Sequence, residues 1–252
     1  MNEFSLPVEL CQVFVDGILK GYKEYIGVRK KAQKDLEVSG AYAWVKGNHI
    51  DSSVCEECSK YSHVKSLVDK AGYTWEYIQF VLNNEQEKYL LIVKSSQGIA
   101  NTFNEKTGRN KKENYLYDYA GINNAIINSK NIQLKKSKDF VQLELSLPEL
   151  EAINKNIAIK APEGYTRFYV VTYEVDEQSK MISKIALTLP NQDKMSLVEV
   201  ADLTELIEKS EYSIGEEELE FIKGDKVPDG VYPDETHSFG YEFVAENQED
   251  II

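Results

Sequence analysis

Apolar residues recur at helical spacing from the start of the chain: Leu10, Phe14, Ile18, Tyr22, Tyr25 and Val28. With Ser5 and Pro7 ahead of them, suited to a first helical turn, they predict an amphipathic helix running to about residue 37. Gly17, Gly21 and Gly27 fall inside it and mark either close packing or a bend. The short aromatic run "AYAWVK" (41–46), bounded by glycines, predicts a strand. A second stripe, Val54, Cys58, Tyr61, Val64, Val68 and Ala71, predicts a helix that starts at a Ser53–Glu56 capping box, with Asp51 as a rival cap, and stops at Gly72. Thr74 to Leu82 follows as another helix, with Trp75, Ile78 and Leu82 inward.

Farther on the period changes. "EKYLLIVKS" (87–95) has the continuous apolar run of a buried strand, and 113–128 predicts a helix. "DFVQLELSL" (139–147) alternates cleanly and ends at Pro148. Residues 166–175 and 181–189 form a predicted antiparallel hairpin, and 196–210 a final helix capped by Ser196 and Glu199. Beyond it lie too many turn residues for long elements, although Phe221, Tyr232, Phe239, Tyr241 and Phe243 argue for docking rather than a free tail.

The expected fold class is therefore α+β: a helix-rich N-terminal half with one or two strands, an antiparallel sheet in the C-terminal half, and an acidic C-terminal region. Residues 1–130 and 131–210 are expected to form one domain, with 211–252 as an extension.

Charge sharpens this picture. Of the net −13 carried by 252 residues, residues 205–252 hold 15 acidic residues against Lys209, Lys223 and Lys226. That is −12, leaving −1 for the rest of the chain. Such asymmetry accompanies interaction surfaces, and it also describes a solvated, solubilising end. No apolar run reaches the roughly 20 residues of a membrane helix. The N-terminus has no basic leader, and three cysteines suit a reducing compartment, so a cytoplasmic location is expected.

Two of those cysteines sit in His49-x5-Cys55-x2-Cys58-x4-His63, which has the donor types of a zinc site. On a continuous helix, however, Cys58 and His63 would point roughly 140° apart, so a buried helix edge is the favoured reading and zinc the alternative. A redox CxxC at a helix N-terminus would need a depressed thiol pKa, which Glu56 and Glu57 oppose. The stretch 106–124 interleaves Arg109, Lys111 and Lys112 with Tyr115, Tyr117 and Tyr119, a pattern for phosphates and stacked bases. No Walker A loop, dinucleotide fingerprint or carboxylate-x-lysine pair is present.

The leading expectation is a non-enzymatic interaction protein. Glu216, Glu217, Glu218, Glu220, Asp225, Asp229, Asp234 and Glu235 would meet a basic protein surface, for instance as an acidic inhibitor of a nucleic-acid-binding or processing protein of phage or mobile-element type. The alternative is a nucleic-acid-binding protein or a metal-dependent enzyme built on the His49/Cys55/Cys58/His63 region. No catalytic residue is assigned, no membrane partner is expected, and homo-oligomerisation is allowed for.

Overall fold

A computed structural model describes residues 5–71, 75–83, 87–99, 115–130 and 164–223. Helix α1 (Val8–Asp35) follows the predicted stripe, burying Phe14, Ile18, Tyr22 and Ile26. Pro7 stands just ahead of it, where a missing N–H costs nothing, and its carbonyl takes the Cys11 N–H at 3.0 Å. Leu36 ends the helix by turning extended while its N–H still reaches the Ala32 carbonyl at 3.0 Å.

Helix α2 (Lys46–Cys58) packs on α1 at two of the three glycines. A Cβ built on Gly21 would stand 2.5 Å from Ile50 Cα and 2.6 Å from the His49 carbonyl oxygen; one on Gly17 would stand 2.5 Å from Val54 Cα. Close packing, rather than a bend, explains this pair. A Cβ at Gly27 meets nothing within 4 Å.

Among the described residues six strands form one sheet in the order β1 to β6: Val64–Ala71, Trp75–Asn83, Lys88–Ser95, Arg167–Val175, Ile182–Asn191 and Ser196–Asp202. Every neighbouring pair is antiparallel except β3–β4, which is parallel with Tyr89 opposite Arg167 and Ser95 opposite Tyr173. The α1–α2 pair covers one face, where Phe14, Ile18 and Ile50 meet Leu91, Tyr169 and Leu187. Helix α3 (Tyr115–Ala120), a 3₁₀ turn (Gly121–Asn123) and helix α4 (Asn124–Lys130) follow β3, and Leu116 packs with Val81, Leu90, Ile92, Phe168 and Val170 on the other face. Strands β3 and β4 are buried on both faces, which is why β3 reads as a continuous apolar run.

The α+β class holds, but its details change. Among the described residues three strands lie in the first half, and the sheet is mixed and takes strands from both sides of residue 130. The helices expected over 53–72, 74–82 and 196–210 are replaced by the end of α2 and by strands β1, β2 and β6. Val64 and Val68, like Ile78 and Leu82, are four apart, a spacing that suits one face of a strand as well as one face of a helix. The β-branched and aromatic content of "WEYIQFVLN" and "SLVEV" then decides for strand. The strand expected at 41–46 is a 3₁₀ helix, Gly40–Val45, which runs straight into α2. The hairpin over 166–189 and the helical stretch within 113–128 are found in place; the strand expected at 139–147 lies outside the described residues. Among the described residues no helix is long and apolar enough to cross a membrane.

Candidate functional site

After β6 the chain crosses back over α1. Leu203, Leu206, Leu219 and Ile222 enter the core against it, and Tyr212, Ile214 and Phe221 pack half-buried beside them. Polar contacts fix the same path. Gln12 Nε2 donates to the Leu206 carbonyl at 3.1 Å, Lys23 Nζ to the Ser213 carbonyl at 2.7 Å, and Tyr212 OH to Glu57 Oε1 at 3.1 Å. A short helix α5 (Glu216–Leu219) starts at Gly215, whose N–H donates to Glu218 Oε1 at 3.0 Å.

With its apolar residues docked, this segment turns its carboxylates outward. Glu205, Glu208, Glu211, Glu216, Glu217 and Glu220 are exposed. Two of the residues singled out above meet lysines of the chain itself: Glu218 lies 3.9 Å from Lys23, and Glu220 pairs with Lys223. Asp225, Asp229, Asp234 and Glu235 lie outside the described residues.

Glu57 is the buried anchor beneath the segment. Burial alone would raise its pKa, but hydrogen bonds from Lys60, Tyr212 and Lys20 outweigh that and hold it below the ordinary value. Lys20 also reaches Glu56 at 2.6 Å and lies 5.9 Å from the Tyr212 ring centroid.

The cysteine and histidine residues fall differently from the zinc expectation. Cys55 and Cys58 occupy the last turn of α2, not its first, and His63 lies beyond the helix, just before β1. Cys58 is fully buried, and desolvation pushes its thiol up to about 12; Cys55 is half-buried. That is the reverse of the depressed pKa a redox thiol requires. His49 and His63 are half-buried and exposed respectively. Among the described residues no group of three or more His, Cys, Asp or Glu side chains is placed to hold a metal ion.

Of the nucleic-acid candidates, Arg109, Lys111 and Lys112 lie outside the described residues. Tyr115 stacks on Tyr77 at 4.6 Å and makes an edge contact with Tyr119 at 5.8 Å, so its ring is engaged internally.

Sequence spacing missed one polar cluster because its members come from five elements. The β2–β3 register runs from Phe80↔Leu91 to Asn83↔Lys88, and the strands part beyond it. In this fork Asp51 of α2 accepts the Ile78 N–H at 3.3 Å. On the opposite face Asp69 Oδ2 accepts from Tyr77 OH (3.0 Å), Tyr119 OH (3.2 Å) and Gln79 Nε2, and Lys94 Nζ lies 5.2 Å from the Tyr77 ring centroid. Burial pushes the Asp51 carboxyl up to about 6, against the opposing pull of Lys94 and of the Ile78 amide.

For an acid with a raised folded-state pKa, the stabilising contribution is present below the unfolded value and is lost as pH rises through about 6. Asp51→Asn is therefore expected to raise the neutral-pH Tm by about 3 °C or more and to flatten the melting profile through that pH window. A lower Tm for the variant at neutral pH would mean that attraction to Lys94 outweighs burial.

The arrangement as a whole is a docked acidic ridge on one face of the molecule and a closed aromatic–polar cluster on the other. Comparison with family models, with curated proteins and with solved structures found no match to this chain.

Proposed function

We propose that the protein is a non-enzymatic interaction module whose acidic ridge, Glu205 to Glu220, engages a cationic surface on another protein. The observation supporting this reading is the docking of Leu206, Leu219 and Ile222, which holds exposed carboxylates in fixed positions instead of leaving them on a free tail. Residues 205–223 carry seven glutamates against Lys209 and Lys223, and among the described residues only Glu218 and Glu220 of the seven meet a lysine. Fixed like charges raise the local potential, steer a basic partner toward the ridge and set its orientation on arrival. A DNA- or RNA-binding protein, whose phosphate-contacting face is basic, is the partner class this chemistry suits; the chain would then act by competing with nucleic acid.

The test uses point substitutions, because truncation at residue 211 would strip Leu219 and Ile222 from the core. The five-fold variant Glu205→Gln, Glu208→Gln, Glu211→Gln, Glu216→Gln and Glu217→Gln keeps the docked residues and removes the outward charge. Used as baits at low salt, the parent is expected to retain basic proteins that the variant does not, and raised salt should release them from the parent. Equal retention of the same proteins by both baits would remove the ridge as the binding element.

A further inference from the structure

Among the described residues strand β1 is the terminal strand of the sheet on its side, and two of its backbone groups reveal which way the others face. Val64 N–H donates to the Tyr61 carbonyl at 3.1 Å, and Lys70 N–H to Asp69 Oδ1 at 2.8 Å. Both therefore turn away from β2, so the even-numbered residues of β1 carry the outward-facing backbone groups. The β2 side agrees, since Ile78, which is opposite Val68, sends its N–H to Asp51. The two ends of the edge are thus capped by the chain itself, while Ser66 and Val68 between them present N–H and C=O to the outside. Leu67 is 52% exposed and Val68 68%. An edge with free backbone groups and exposed apolar side chains is a template for another strand.

We infer that β1 pairs with β1 of a second copy, antiparallel about a two-fold axis through Leu67, joining two six-stranded sheets into one. The register follows from which groups are free. An axis at Ser66 would set Val64, whose N–H is occupied, opposite Val68; an axis at Val68 would set Lys70, likewise occupied, opposite Ser66. Only the axis at Leu67 pairs Ser66 with Val68 of the other copy twice, so that each residue with an open N–H faces another and both bonds of each pair can form.

The same register places Lys65 opposite Asp69 of the second copy, and Asp69 opposite its Lys65. Asp69 accepts hydrogen bonds from Tyr77, Gln79, Tyr119 and the Lys70 amide, all neutral donors, so a facing lysine supplies the countercharge. Leu67 meets its own symmetry mate at the axis, a self-complementary contact of the kind a two-fold interface requires.

Sedimentation velocity of the full chain over a concentration series tests this. A reversible monomer–dimer equilibrium is expected. Val68→Pro removes one outward N–H, a change edge strands tolerate, and Leu67→Lys sets like charges against each other at the axis. Each should weaken the dimer about tenfold or more while leaving the circular dichroism spectrum unchanged. At a non-hydrogen-bonded antiparallel pair the Cα atoms stand about 4.5 Å apart, within disulfide range. Mild oxidation should therefore link Leu67→Cys into a covalent dimer, beyond any background from the native cysteines, while Ser66→Cys stays unlinked. A chain that is monomeric at every concentration overturns the inference. So does a dimer that neither edge variant weakens and that Leu67→Cys does not link.

Discussion

Gly21→Ala is expected to destabilise the protein by about 3 kcal/mol, in a helix where alanine is intrinsically the better residue by about 1 kcal/mol. The added methyl would lie 2.5 Å from Ile50 Cα and 2.6 Å from the His49 carbonyl oxygen. Both are backbone atoms of α2, so relief requires moving the helix rather than turning a side chain. Gly17→Ala, with Val54 Cα at 2.5 Å, should behave alike. Gly27→Ala supplies the internal control: on the same helix with nothing within 4 Å, it should gain stability by about 1 kcal/mol. Urea unfolding of the three variants measures the difference directly. If Gly21→Ala and Gly27→Ala shift the midpoint in the same direction, the helices are not held at this distance.

The second large effect is expected at Asn123, a fully buried residue in the turn between α3 and α4. The β4–β5 register has Val170 opposite Thr188, so continuing it sets Phe168 opposite Pro190, which has no N–H to give. The Asn123 amide fills that gap. Its Nδ2 donates to the carbonyls of Phe168 (2.8 Å) and Pro190 (3.0 Å), and its Oδ1 accepts the Phe168 N–H at 2.9 Å. Asn123→Ala leaves three buried backbone groups without this partner, a cost of about 3 kcal/mol or more. Amide exchange at Phe168 should accelerate in step with the loss of global stability. Asn123→Asp should do no better at neutral pH, since it removes the donor and buries a charge. Near-parental stability for Asn123→Ala would show that water or a shifted strand replaces the amide.

Much of this architecture is legible from pattern alone. Helix α1, strand β3 and the β4–β5 hairpin each have many apolar residues at a single period, and the structure has all three. Strands β1 and β2 are readable as helices because Val64 and Val68, like Ile78 and Leu82, are spaced four apart. A strand at the sheet edge buries little, so its pattern is thin: Leu67 and Val68 of β1 are both exposed. The acidic segment was visible as composition, but its docking depends on Leu206, Leu219 and Ile222 meeting a helix some 200 positions earlier in the sequence. The fork residues Asp51 and Lys94 come together only through tertiary structure, and no local spacing foreshadows them.

The parallel β3–β4 pair also shapes the protein's synthesis. Strand β3 ends at Ser95 and its neighbour is complete only at Val175, 80 residues later. At roughly 5–20 residues per second, "YLLIV" waits about 4–16 s after leaving the ribosome before the partner that covers it exists. During that interval the nascent chain carries an apolar strand with one side unpaired, a substrate for holdase chaperones. A slower ribosome lengthens that exposure without altering the finished molecule.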